Sequence, residues 1–162
     1  MDIDYRDLLA HYATGVVVVT TRVDGEDHAM TANSFTSVSL TPPLVLICVQ
    51  RDSRFHAAIA KAGVWVVNIV TADQAPAARW FAEKGRPLAG QLNVVEHHRG
   101  DDDIARLTGC IGYLTCDTEA VHPGGDHSIV VGRVRAMELN DTGASPLLYL
   151  NHRLGPASSG VG

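Results

Sequence analysis

Three short runs limit what this chain can become. They are Val16-Val17-Val18-Val19-Thr20-Thr21, Leu44-Val45-Leu46-Ile47-Cys48-Val49 and Val64-Trp65-Val66-Val67-Asn68-Ile69-Val70. β-Branched side chains are stiff at χ1 and pack well on a pleated surface, so each run reads as a strand. Each is apolar at consecutive positions, the mark of a strand covered on both faces. None approaches the roughly 20 residues that a membrane-spanning helix needs. Two further strands are expected over Leu107–Cys116 and Ile129–Leu139. His28–Leu40 reads as a strand, a loop at Asn33-Ser34 and a second strand. Asp24-Gly25 is a hairpin-type turn, and Thr41-Pro42-Pro43 is a corner.

Helices are few. Tyr5, Leu8, Leu9 and Tyr12 recur at helical spacing. Ser53 is a natural N-cap for Phe55–Ala62, with Gly63 as the stop. Thr71 or Asp73 caps a second helix through Ala78, Trp80 and Phe81. Lys84–Asp103, with its Gly, Pro and charge, reads as one long loop. Helices separate only some of the strands, and no Gly-rich turn follows the first, which disfavours parallel βαβ units. The expected fold is mainly β, a barrel with a few peripheral helices. One domain over residues 1–155 is followed by a flexible tail, 156–162.

Composition sets outer bounds. The 162 residues are 46% hydrophobic, too apolar for a disordered chain. Thirteen Lys+Arg against eighteen Asp+Glu leave a net charge of −5, which disfavours a general nucleic-acid or anionic-membrane binder. Cys48, Cys110 and Cys116 cannot all pair and form no Cys-x-x-Cys. Buried reduced thiols are the simplest reading for the two within apolar runs. The first residues lack the pattern of a signal peptide. A soluble, cytoplasmic, reducing setting is expected.

Three polar segments stand out. Thr31-Ala32-Asn33-Ser34-Phe35-Thr36-Ser37-Val38-Ser39 packs hydroxyls and an amide between apolar strands. Such groups suit a phosphate or a heteroaromatic edge, although an ordinary solvent-facing strand edge has the same composition. Gln50-Arg51-Asp52-Ser53-Arg54 ends a strand and opens a helix, a ready place for an anion or simply a capped surface helix. In Gly124-Gly125-Asp126-His127 the glycines permit a tight turn and the Asp can bias the imidazole. The eight histidines lack metal-ligand spacing, so no metal is expected. A Gly-x-Ser-x-Gly elbow, a P-loop and a Gly-x-Gly-x-x-Gly are absent from the sequence.

Longer motifs carry a resemblance. Tyr12–Thr21, Met30–Leu46, Val67-Asn68-Ile69 with Gln74 and Phe81-Ala82, the Gly-Asp-His motif within Val121–Gly132, and Pro146-Leu147-Leu148-Tyr149 occur in order. Together they resemble the flavin reductase-like family, specifically the small NAD(P)H:flavin oxidoreductases that serve two-component monooxygenases. The resemblance implies an FMN-binding split β-barrel, a homodimer, and a bound flavin, FMN or FAD. It implies flavin contacts from Met30, Thr31, Ala32, Asn33, Ser34, Ser37, Val38 and Ser39. Further flavin contacts are implied from Val49, Gln50, Arg51, Ser53 and Phe81. His127 is implied as the catalytic-site histidine and, with Tyr149 and Arg153, as a contact to NADH or NADPH. Two segments depart from the family pattern: Gln91–Leu107, and Leu150–Gly155 after the tyrosine.

The implied reaction is hydride transfer from a nicotinamide to a flavin, with reduced flavin passed to a separate flavin-dependent monooxygenase. That chemistry belongs to the cofactors, which explains a sequence without an evident nucleophile or acid–base pair. The alternative is a non-catalytic flavin-binding or electron-carrier protein on the same barrel. A flavin-dependent oxidase of a small amine or phosphorylated vitamer lacks a visible basic cluster. The acid surplus is expected away from the site, as at Asp101–Asp103, and Arg51, Arg54 and Arg153 near phosphates.

Overall fold

The computed structural model describes residues 3–157. Helix α1 (Tyr5–Ala10) begins at Asp4, whose side chain accepts from the Arg6 N–H. Strands β1 (Thr14–Gly15), β2 (Val17–Val23), β3 (Glu26–Ala32), β4 (Thr36–Leu40) and β5 (Pro43–Gln50) follow. Next come α2 (Arg54–Ala62), β6 (Val64–Ile69), a 3-10 turn at Ala72–Gln74 and α3 (Ala75–Ala82). The chain then forms β7 (His97–Arg99), β8 (Ala105–Leu107), β9 (Gly112–Gly124), β10 (His127–Leu139), β11 (Leu147–Leu150) and β12 (Arg153–Pro156).

Seven strands form one antiparallel sheet in the order β3-β2-β6-β9-β10-β5-β4. Both of its faces are apolar, and β2 shows why. Val17 and Val19 pack with Val45, Ile47, Val49, Trp65, Val67, Val130 and, from α2, Phe55 and Ile59. Val18 points the other way, toward Val66, Phe81, Leu92, Leu107 and Leu147. The strand period of two thus sorts one valine run into two cores. Six of the seven strands contribute to the first core, so the sheet curls around it, with α2 against it. The fold is mainly β with few helices, as expected.

Several local readings hold for physical reasons. Asp24 and Gly25 take positive φ (51° and 82°) in the β2–β3 turn. Ser53 Oγ accepts from the His56 N–H at 3.2 Å, and Gly63 ends α2 at φ 69°. β3 and β4 are separated at Asn33–Phe35.

Others need correction. Thr71 opens the 3-10 turn instead, its N–H donating to Gln74 Oε1 at 3.0 Å, and α3 is capped by Gln74 rather than by Thr71 or Asp73. The expected loop Lys84–Asp103 contains β7, which pairs with β8. Leu107 belongs to β8, not to the strand ending near Cys116. Gly109, at φ 81°, separates the two. β9 runs on to Gly124, so only Gly125 and Asp126 turn the chain into β10. A three-stranded sheet, β1-β11-β12, was not foreseen. It pairs Pro156 with Leu147, so the first residue of the expected tail is held in a strand. Residues 158–162 of that tail lie outside the described residues.

A buried amide joins the layers. Asn68 Nδ2 donates to the Val18 carbonyl at 2.9 Å and to Thr20 Oγ1 at 3.2 Å. Its Oδ1 accepts from the Leu107 N–H at 2.8 Å, and Thr20 Oγ1 donates to the Ala105 carbonyl at 2.6 Å. Every polar atom of this fully buried side chain is engaged, so Asn68 locks β8 onto β2 and β6.

Candidate functional site

Two adjoining clefts open where β3 ends. The smaller, about 670 Å³, is walled by His28–Ser34, Cys48 and Gln50 of β5, Asp52–Phe55 at the start of α2, Phe81–Arg86, Leu88, Gln91 and His127. The larger, about 810 Å³, is walled by Val16, Ala78, Arg79, Tyr149, His152, Arg153 and Leu154. Thr31, Asn33, Ala82 and Glu83 line both.

Strand alternation selects the groups that reach the smaller cleft. On β5, Val45, Ile47 and Val49 face the core, which leaves Cys48 and Gln50 facing the cleft. Ser34 holds the two strands in place. Its Oγ accepts from the Cys48 N–H at 3.0 Å and donates to the Cys48 carbonyl at 3.3 Å. Thr31 Oγ1 donates to the Ala78 carbonyl at 2.6 Å, fixing β3 against α3. Ser53 is occupied as the helix cap and donates to the Gln50 carbonyl at 2.7 Å.

His127 is the first residue of β10 and pairs with Gln50. Its Nδ1 lies 2.7 Å from Asp126 Oδ1, and this contact holds the Asp126 carboxyl below its ordinary range. The Arg51 N–H donates to the Asp126 carbonyl at 3.0 Å, which ties the hairpin tip to the end of β5. Burial, with the nearby Arg54 charge, pushes the His28 imidazole below its ordinary value. Its neutral form is favoured at pH 7.

Arg86 organises the segment after α3. One terminal nitrogen donates to the Ala29 carbonyl and to Gln91 Oε1, the other to the Glu83 carbonyl at 2.7 Å. Its guanidinium sits 5.7 Å from the Phe81 ring centroid. Arg54 donates to the Arg86 carbonyl at 2.6 Å. Arg54, Lys84 and Arg86 all line this cleft, with the carboxylates of Asp52 and Glu83 beside them. Volume, polar strand end, aromatic wall and cations together fit a flat heteroaromatic ligand carrying phosphate.

The structure brings together Met30, Thr31, Ala32, Asn33, Ser34, Gln50, Ser53, Phe81 and His127 of the expected set. Tyr149 and Arg153 line the neighbouring cleft, so His127 and Tyr149 do not share one cleft of this chain. Ser37, Val38 and Ser39 lie on edge strand β4, outside both clefts. Val49 is fully buried because alternation turns it inward. Arg51 also lies outside both clefts, and Arg54, the first residue of α2, lines the smaller one. His28, Cys48, Lys84, Arg86 and Gln91 were missed. The β5 alternation could have revealed Cys48, whereas no local pattern marks Arg86. Among the described residues no three His, Cys, Asp or Glu side chains gather at metal-holding distance.

Comparison with known proteins fits this geometry. The Flavin reductase like domain family matches residues 9–158. The NADH-dependent FAD reductase of Streptomyces globisporus is 42% identical over 135 residues, 82% of this chain and 73% of that one. The reductase component of 4-hydroxyphenylacetate 3-monooxygenase from Thermus thermophilus is 37% identical over 145 residues, 90% of this chain and 89% of that one. The solved Streptomyces globisporus NADH:FAD oxidoreductase SgcE6, in complex with NAD and FAD fragments, superposes with a TM-score of 0.90. It is 33% identical, with 97% of this chain and 93% of that one covered. The chain belongs to the flavin reductase-like family.

Proposed function

We propose that this chain is an NAD(P)H:flavin oxidoreductase that reduces FMN or FAD and releases it to a separate flavin-dependent monooxygenase. The observation that carries the reading is the pair of clefts divided by Thr31 and Asn33, in a chain of this family. A bound flavin supplies the hydride-accepting ring, and a nicotinamide nucleotide supplies the hydride. The Thr31–Ser34 backbone and side chains hold the ring edge, with Phe81 as the apolar wall. Arg54 and Lys84 hold phosphate, with Arg86 fixing the segment that carries Lys84. His127, oriented by Asp126, places the nicotinamide, and Tyr149 and Arg153 contact it from the adjoining cleft.

A homodimer is part of this reading. Tyr5, Leu8 and Leu9 of α1 and Tyr12 just after it are exposed (73%, 59%, 48% and 73%), an unusual apolar surface for a lone subunit. A single domain is supported by β12 closing back on β11. Cys48, Cys110 and Cys116 are all free, which suits a reducing cytoplasmic setting.

The test is oxidation of NADH and NADPH by purified protein with and without FMN or FAD. Oxidation that depends on added flavin is expected. A stable yellow protein that leaves both nucleotides unoxidised would instead identify a flavin carrier. Replacing His127 by Ala is expected to raise the nicotinamide KM more than the flavin KM. An equal effect on both would remove His127 from the nicotinamide site.

A further inference from the structure

The turn after β11 builds a three-membered hydrogen-bond chain with α1. Tyr149 lines the larger cleft from β11. Its hydroxyl lies 3.3 Å from His152 Nδ1, with the two rings edge-on at 88°. His152 Nε2 lies 3.1 Å from Asp7 Oδ1 on α1. Asn151 and His152 both take positive φ (50° and 61°) in the β11–β12 turn. Asn and His are among the non-glycine residues that reach this region, and together they make the tight turn. The Asn151 N–H donates to the Ala10 carbonyl at 2.6 Å and seats the turn on the end of α1.

We propose that His152 and Asp7 are positioning residues that fix the hydrogen-bond polarity of Tyr149 toward the larger cleft. A carboxylate only accepts, so neutral His152 must carry its proton on Nε2 to meet Asp7. Nδ1 is then bare and accepts the Tyr149 hydroxyl proton. The phenolic oxygen is left with only lone pairs to offer the cleft. It selects a ligand that presents an N–H donor there, as the primary amide of a nicotinamide does. Arg79 and Arg153 line the same cleft and can meet an anionic tail, with Glu83 opposite in sign at the shared wall. This inference rests on the reductase reading for the identity of the ligand, although the hydrogen-bond chain exists without it.

The test combines a double-mutant cycle with nitrogen-15 NMR of the imidazoles. Tyr149→Phe and His152→Ala are each expected to raise the NADH KM about ten-fold, with the flavin KM within about two-fold. The two losses are expected to combine less than multiplicatively, because His152, which also walls the cleft, acts in part by orienting that hydroxyl. Asp7→Asn, which keeps an accepting oxygen, is expected to recover most of what Asp7→Ala loses. In ligand-free protein above the imidazole titration, His152 is expected as the Nε2-H tautomer, with an Nδ1 resonance that moves in Tyr149→Phe. Independent, multiplying KM effects, or an Nδ1-H tautomer, overturn the proposal while leaving the reductase reading intact. A wild-type protein that oxidises neither nucleotide defeats the reductase reading. In that case the NMR result alone decides whether the hydrogen-bond chain exists.

Discussion

Arg99 sets both terminal nitrogens on the carboxylate of Asp27, Nη2 to Oδ2 at 2.7 Å and Nη1 to Oδ1 at 2.9 Å. Asp27 also receives Arg22 Nη1 at 3.0 Å, and Arg22 and Arg99 both reach Asp103. Burial works to raise the Asp27 carboxyl pKa, but the two guanidiniums outweigh it and hold the group below its ordinary range. The pair pins the β7–β8 hairpin beside the strand whose next residues, from His28 on, wall the smaller cleft. Arg99→Ala is expected to lower stability by roughly 1–2 kcal/mol, as lost charge-assisted hydrogen bonds do. Urea unfolding with an unchanged m-value checks this, and no shift of the midpoint would show that the hairpin is held by packing alone.

Asp102 carries a pH dependence. Arg106 donates to it from both terminal nitrogens at 2.9 and 3.0 Å, holding its carboxyl below the ordinary 3.8. Burial opposes the shift, and the Ile104 N–H and Arg135 add to it. A depressed folded pKa gives stability that is complete above the unfolded value and lost as pH falls through the folded one. Asp102→Asn is expected to be less stable than wild type at pH 7, with the difference shrinking below about pH 4. Thermal unfolding from pH 7 to pH 2 measures it. A gap that stays constant over that range would remove the ion pair as its cause.

Gly132 is a packing requirement rather than a turn. A Cβ there would lie 2.4 Å from Trp65 Cζ2 and 2.9 Å from Cys116 Cβ, both fully buried. Gly132→Ala is expected to destabilise by about 1–3 kcal/mol through overpacking. Trp65→Phe in the same chain should relieve part of that loss. Chemical denaturation of the single and double variants decides it, and strict additivity would exclude the contact.

The three thiols differ in environment. Cys110 and Cys116 are buried, which pushes their pKa values up to about 12. Cys48 is half-buried and lines the smaller cleft. One thiol per native chain is therefore expected to react promptly with a thiol reagent at pH 8. Prior addition of flavin is expected to slow that reaction at least several-fold. Equal labelling with and without flavin would separate Cys48 from the flavin-binding wall.

Much of the fold was readable from residue chemistry. The β2 valine run, the Ser53 and Gly63 caps and the Asp24-Gly25 turn obey local rules, and local rules are visible in a single sequence. β7, β8 and the β1-β11-β12 sheet were missed because their strands run two to four residues and lean on neighbours remote in sequence. The site divides in the same way. Thr31–Ser34 and His127 stand in long motifs. The Val49 side chain turns into the core, and a fully apolar strand hides which residues face inward. Arg86 could not be recognised, since its position depends on the Ala29 carbonyl, Gln91 and the Phe81 ring. His127 and Tyr149 are expected to face the nicotinamide, and the chain sets them on the walls of two adjoining clefts.

Thr31 and Asn33 border both clefts, so any coupling between the two sites runs through a wall they share and is reciprocal. A molecule seated on one side contacts the partition that also borders the other. Whatever free energy its presence adds to or removes from the neighbouring cleft, the neighbour's occupant must return in equal measure. A substitution of Thr31 or Asn33 therefore touches the walls of both sites at once. Its affinities for the two ligands are to be reported as a matrix, each measured with the other ligand absent and present.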